Sequence, residues 1–147
     1  MNGCKQKEIL RVLIDTNVAY TFISERDDSF STEIFRIMHL CVEGDIQGYL
    51  AFHSLSTIWY ICRNFDDAKR RRMLMRLCNI ITVVGASHSQ IINALQRSEF
   101  KDFEDCLQDK CAKEANCDYI VTVNVKDFKH SEIPAVDPYE LLQIISD

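Results

Sequence analysis

A chain of 147 residues that is 47% hydrophobic and 27% charged, with only 4 Gly and 2 Pro, is too apolar for a disordered segment and too mixed for a collagenous or low-complexity one. Its 17 Lys plus Arg against 22 Asp plus Glu leave a formal charge of −5. That excludes a protein that coats nucleic acid by bulk charge, but not an enzyme that reaches a phosphodiester through a bound cation.

Residues 11–15, R-V-L-I-D, form a short apolar run that stops at a carboxylate, the pattern of a buried strand whose carboxyl end carries Asp15. Beyond the polar stretch 25–31, Ile34, Ile37, Met38 and Cys41 recur at i, i+3, i+4 and i+7, the stripe of an amphipathic helix, and Gly44 and Gly48 punctuate its end. Residues 49–52 read as a second strand, after which Leu55, Ile58, Trp59 and Cys62 repeat the helical spacing. The segment 68–78 is helical in composition, with Leu74, Leu77 and Cys78 as its stripe and a dense basic face. A strand at 80–84 follows. Ser87 and Gln90 then stand at capping-box spacing ahead of Ile91, Ile92 and Leu95, which predicts a helix start. A helix over 103–115 and a strand over 119–123 come next, and Asp137-Pro138 with Glu140 supplies the cap, first-turn proline and third-position acid of a last helix.

Strands separated by helices, with no tight Asn-Gly hairpin, predict an α/β fold: a central parallel sheet with helices on both faces, in a single domain spanning 1–147. No apolar run approaches the roughly 18 residues of a membrane span, and no signal-peptide cleavage pattern follows the charged start, so a cytoplasmic protein without membrane contact is expected. The seven cysteines (4, 41, 62, 78, 106, 111 and 117) form an odd set without a C-x-x-C pair and read as reduced core thiols.

In a parallel sheet the carboxyl ends of the strands line one edge, where ligands usually bind. Asp15 after the first strand and Asn124 with Asp127 after the strand at 119–123 therefore share that edge. Asp102, Asp105 and Asp109 at i, i+3 and i+7 occupy an arc of roughly 60° on one helix, which predicts an acidic face. Converging carboxylates repel unless a cation neutralises them, and hard oxygen ligands suit Mg²⁺ or Mn²⁺. Each residue also has a plainer reading: Asp15 as a helix cap, Asp102 and Asp105 as acids at a helix start, Asn124 and Asp127 as turn formers. Lys69, Arg70, Arg71, Arg72 and Arg76 place 5 of the 17 basic residues within eight positions, either a phosphate-backbone contact or a solvated helix face. The four histidines lack metal-ligand spacing, and no Ser or Cys stands in a nucleophile elbow.

Three blocks, V-L-I-D-T-N at 12–17, D-F-E-D-C-L-Q at 102–108 and Y-I-V-T-V-N-V-K-D-F at 119–128, resemble in order and spacing a PIN domain. The resemblance implies a compact α/β nuclease, typically of RNA, whose acids bind Mg²⁺ or Mn²⁺, similar to the VapC-type toxins of toxin–antitoxin pairs. By that resemblance Asp15 matches the first family acid, Asp105 the acid of the central helix and Asn124 the Asp-or-Asn position after the last motif strand. Asp127 lies beside it, and Asp102 is an additional acid that could join Asp15 and Asp105 on the metal. Implied partners are an RNA substrate, an antitoxin protein and a second copy in a homodimer. One departure stands out: the glutamate that the family places in the helix after the second strand corresponds here to Thr57, whose hydroxyl brings no charge to a cation. Reduced metal affinity is expected, with Asp102 as a compensating acid. The competing expectation is a catalytically weakened PIN-like module that binds nucleic acid or protein.

Overall fold

The computed structural model describes residues 8–147. In chain order these form β1 (Leu10–Ile14), α1 (Thr16–Ile23), α2 (Ser31–Glu43), β2 (Ile46–Ala51), α3 (Phe52–Ile61), α4 (Asp67–Ile80) and β3 (Thr82–Val84). Then come α5 (His88–Gln96), α6 (Phe103–Glu114), β4 (Tyr119–Val121), β5 (Ala135–Val136) and α7 (Pro138–Ser146), with 3₁₀ turns at Cys62–Asn64 and Val125–Phe128. The strands build one sheet in the order β3-β2-β1-β4-β5, and every pairing is parallel.

Central β1 explains the layering. Val12 and Ile14 point into a core shared with Val18 of α1, Ile34 and Ile37 of α2, Ile58 of α3, Leu77 of α4 and Leu141 of α7. Leu13, on the opposite side of the pleat, packs with Cys111 and Ala112 of α6, Ile120 and Phe128. A strand buried on both faces needs helices on both faces, which is why its sequence is a continuous apolar run. The chain steps outward from β1 through β2 to β3, and β4 then joins the other side of β1. The sheet order therefore reverses between β1 and β4, and a crevice opens at their carboxyl ends.

Several boundaries differ from the sequence expectation. The sequence reading placed no helix in 16–23, where α1 buries Val18, Ala19, Phe22 and Ile23 within only eight residues. Strand β4 stops at Val121 rather than at 123 because the chain turns into the 3₁₀ segment. Ile80 ends α4 instead of opening β3. The two-residue β5 is held by Ile120 N donating to Pro134 O at 2.9 Å and Thr122 N donating to Val136 O at 3.0 Å, pairings with no local sequence signal. Of the cysteines, Cys62, Cys106, Cys111 and Cys117 are buried free thiols and Cys41 is half-buried, but Cys78 is exposed and so is no core thiol. Cys4 and the charged start, on which the expectation about a signal peptide rested, lie outside the described residues. Among the described residues no helix is long and apolar enough to cross a membrane.

Gly44 ends α2 at φ 78°, the left-handed conformation glycine adopts without a Cβ clash. Gly48 does not end that helix; it lies inside β2, where a Cβ would stand 2.5 Å from Ile81 Cγ2 and 2.9 Å from Cys41 Sγ. Gly48→Ala is therefore expected to destabilise the fold by about 1–3 kcal/mol through overpacking. The urea midpoint measures this, and an unchanged midpoint would show that Ile81 and Cys41 give way freely.

Candidate active site

Asp15 begins α1 with extended backbone (φ −60°, ψ 149°) but makes no side-chain cap bond, so the capping reading of its carboxylate does not hold. Its N–H instead donates to Val121 O at 3.0 Å, across the β1/β4 crevice. Its Oδ1 accepts from Gln108 Nε2 at 2.8 Å and its Oδ2 from Thr122 Oγ1 at 2.7 Å. All three side chains are buried. Burial pushes the Asp15 carboxyl above its ordinary pKa, while the Gln108 and Thr122 donors and the Thr16 amide pull it back. The same Thr122 oxygen accepts from Asn124 N at 3.0 Å, so the turn carrying Asn124 and Asp127 is tied to the carboxylate of Asp15. Gln108 and Thr122 went unread in the sequence as site residues, although Gln108 lies at i+3 from Asp105, on the same helix face.

Asp105 sits in the first turn of α6, half-buried, and is pushed up to about 7, first by burial and then by the charges of Asp102, Asp15, Asp127 and Glu104. Four other carboxylates therefore lie within electrostatic range of Asp105. A cavity of about 390 Å³ beside them is lined by Asp102, Asp105 and Asp127 together with Lys101, Lys126, Lys129 and His130. These lysines escaped notice in the sequence because they are scattered singly.

Other expected members have different occupations. Asp102 caps α6, its Oδ1 accepting from Glu104 N at 2.8 Å, so half of this carboxylate serves the helix start. Asp109 does not belong to an acidic face: fully buried, it accepts from Glu132 N and Ile133 N, both at 3.0 Å, and fastens the returning loop. The basic run of α4 lies on a helix that packs against α1, α2, α3 and β3, apart from α6 and the Asn124 turn in the layering. Arg70 stacks 3.8 Å over the Trp59 ring and donates to Trp59 O, Arg71 pairs with Asp67 at 2.7 Å, and Arg76 pairs with Glu25 at 3.6 Å. Lys69 lies 4.2 Å over the Phe65 ring.

The start of α3 completes the crevice. The Thr16 hydroxyl donates to Ser54 Oγ at 2.7 Å, locking the first turns of α1 and α3 together. From α3, the Thr57 hydroxyl bonds His53 O at 3.2 Å and Glu104 Oε1 at 3.3 Å, and the His53 ring nitrogen lies 3.2 Å from Glu104 O. The acid beside Thr57 is thus Glu104, which the sequence analysis had not singled out.

Among the described residues no three His, Cys, Asp or Glu side chains converge tightly enough to cage a metal by themselves. The donor set nevertheless suits one kind of cation. Its donors are hard carboxylate oxygens, their mutual repulsion is uncompensated at Asp105, and the buried Gln108 Oε1 has no hydrogen-bond partner. A divalent ion that keeps several waters and takes one or two carboxylates fits such a cluster.

The parallel α/β fold thus carries buried and half-buried acids at its topological switch point, the edge at which such sheets bind ligands. The chain belongs to the PIN domain family, whose profile matches residues 11–126. It is 25% identical over 139 residues to Ribonuclease VapC1 of Aquifex aeolicus (strain VF5), a match covering 90% of this chain and 94% of that protein. Its fold is similar to that of VapBC2 from Rickettsia felis, solved bound to a DNA fragment from their promoter, with a TM-score of 0.68, 14% identity, and 87% of this chain and 98% of that one covered. A toxin–antitoxin complex from Klebsiella pneumoniae gives a TM-score of 0.63 at 22% identity over 87% of this chain and 98% of that one.

Proposed function

We propose that this chain is an Mg²⁺- or Mn²⁺-dependent endoribonuclease of the VapC type, the toxin half of a toxin–antitoxin pair. The observation that carries the reading is Asp15 held by Gln108 and Thr122 at the β1/β4 switch point, with Asp105 on the same α6 as Gln108 and lining one cavity with Asp102 and Asp127. Asp15 and Asp105 would hold the cation, with Asp102 and Asp127 nearby; the chemistry it would supply there is activation of water and stabilisation of charge on a phosphodiester. Gln108 and Thr122 keep the Asp15 oxygens in one orientation. Without metal, burial and the neighbouring charges push the Asp105 carboxyl up to about 7, and a cation bound there would favour its ionised form. Asn124, whose backbone N–H donates to Thr122 Oγ1, follows the end of β4 and is proposed as a further member of the site.

The test is cleavage of single-stranded RNA by the full chain with millimolar Mn²⁺, lost in EDTA and restored by excess metal. RNA that stays intact at every metal concentration while still binding would instead leave a binding module.

Lys101, Lys126 and Lys129 beside the acids are proposed as the first phosphate contacts, and Lys69, Arg70, Arg71, Arg72 and Arg76 of α4, in the other layer, as a separate and secondary RNA contact. Neutralising Lys126 and Lys129 together should weaken RNA binding for all sequences and reduce the salt slope by about 1–2, one counterion per lost phosphate contact. Four of the five α4 cations, Lys69, Arg70, Arg71 and Arg76, already have partners within the protein, so neutralising the run should change that slope less. Equal slopes for both variants would refute this ordering.

For an antitoxin, the structure offers an apolar groove where Phe35 and Val42 of α2, both more than 60% exposed, adjoin Phe22, Met38 and Ile80. Such a groove suits the apolar face of a partner segment.

A further inference from the structure

The cavity lined by Asp102, Asp105 and Asp127 draws its remaining walls from two distant parts of the chain. Glu99, Phe100 and Lys101 lead into α6, whereas Lys126, Lys129 and His130 belong to the 3₁₀ turn after β4 and the loop that leaves it. Residues three apart eclipse in a 3₁₀ turn, so Lys126 and Lys129 share one face of it. Arg97, which does not line the cavity, joins the two walls. Its Nε donates to Glu99 Oε1 at 2.7 Å and its Nη2 to His130 O at 2.6 Å, a bond across 33 residues of sequence. The guanidinium lies 5.1 Å from the ring centroid of the buried Phe100, and its Nη1 is 3.8 Å from Asp109 Oδ2. Asp109 in turn accepts from the amides of Glu132 and Ile133. The loop after Phe128 is therefore fixed to α6 through Asp109 at one point, and to the segment before α6 through Arg97 at another.

We infer that Arg97 is a positioning residue: by tying Glu99 to the backbone of His130 it holds the lysine-bearing turn at the cavity that Asp102 and Asp105 line, so that Lys129 meets a phosphate of bound RNA. This rests on the ribonuclease reading above, in which Lys126 and Lys129 contact phosphate. Two other roles make different demands. An anchor for the end of α5 would contribute stability and leave RNA binding unmoved. A direct phosphate contact by the Arg97 charge would act independently of Lys129, so the losses from removing each would add. Positioning requires instead that Arg97 matter only while Lys129 is present. It also requires the guanidinium fork, since Nε and Nη2 serve the two walls from one rigid plane, a geometry that a lysine ammonium does not reproduce.

The experiment is fluorescence anisotropy of a labelled single-stranded RNA with the full chain and millimolar Mn²⁺ over a range of salt concentrations. The parent protein carries Asp15→Asn, to keep the RNA from being cut, and Glu99→Gln, so that a carboxylate freed by the loss of Arg97 does not enter. In that parent Arg97→Gln and Lys129→Gln should each lower the salt slope by about 0.7, one phosphate contact on a single strand. Together they should lower it by about 0.7 rather than about 1.4, because one residue acts through the other. Thermal melting confirms folding of each variant. If Arg97→Gln does not fold, Arg97→Lys, which keeps a cation facing Asp109 but not the fork, carries the same cycle. Losses that add, or a folded variant at 97 with the slope of the parent, overturn the assignment. If wild type and parent both leave RNA unbound, the ribonuclease reading falls and this inference with it. If the parent binds and neutralising Lys126 and Lys129 lowers its slope while Arg97→Gln does not, only the inference falls.

Discussion

Asp15→Asn is expected to abolish RNA cleavage, by about 10²–10³-fold or more, the usual loss on removing a group that stabilises developing charge, while the protein stays folded. The carboxylate receives one donor at each oxygen, Gln108 Nε2 and Thr122 Oγ1. An asparagine keeps an acceptor for one of them, and the threonine hydroxyl can rotate to accept from the new amide. Alanine would strand both donors in the core, each at about 1–3 kcal/mol, so Asn separates charge from packing more cleanly. Burial already disfavours ionised Asp15, so removing the charge relieves a desolvation cost. Cleavage rate and thermal melting measured side by side check both halves: a folded variant that still cuts RNA within tenfold of wild type would remove Asp15 from the reaction.

The parts of the site that could be read from the sequence are those with a local signature. Asp15 closes an apolar run, and Asn124 and Asp127 follow another, so strand ends announced themselves. A parallel sheet then required both to share an edge, as they do. Ser87, Asp102 and Asp137 also cap their helices by side-chain bonds to the amides of Gln90, Glu104 and Glu140. Capping is decided within four residues, which is why the Ser87 and Asp137 boxes were legible at once.

What escaped was decided by tertiary proximity. Asp109 has the helical spacing of an acidic face, but the loop 131–133 folds back over it and presents two amides, a contact more than twenty residues away in sequence. Gln108 and Thr122 are uncharged residues whose role arises only because α6 and β4 flank the end of β1. Glu104 was passed over for its neighbours because nothing local tells which of three acids in D-F-E-D turns toward α3; the Thr57 bond shows it. Helix α1 was missed because it is short and its apolar residues follow a motif that had drawn notice for its carboxylate. The basic run of α4 is conspicuous in sequence, yet three of its arginines already have ring or carboxylate partners, and the lysines that line the acid cavity are single residues on separate segments.

Asp105→Asn should reverse its stability rank with metal. In wild type without metal, the Asp105 carboxyl is raised from 3.8 to about 7 by burial and by four neighbouring carboxylates. A raised acid binds its proton more tightly in the folded state, so its contribution to stability is fully present below about pH 4 and is lost as pH climbs through 7. Taken whole, that rise would correspond to about 4 kcal/mol. The side chain is only half-buried and water screens it, so a loss on the order of 1–2 kcal/mol is expected. Asparagine carries no such charge, so in EDTA at pH 8 the variant should melt above wild type, and the gap should close toward pH 4. Saturating Mn²⁺ then acts oppositely, since a ligand selective for the folded state stabilises wild type by mass action, by about 2.7 kcal/mol at a hundred times its dissociation constant. The variant, lacking an anionic ligand, should gain little and end below wild type. Melting curves at pH 4, 6 and 8, each with EDTA and with Mn²⁺, read both effects. Equal melting of the two proteins in EDTA at pH 8 would mean that the four neighbouring carboxylates do not crowd Asp105, and an undiminished Mn²⁺ shift in the variant would place the cation elsewhere.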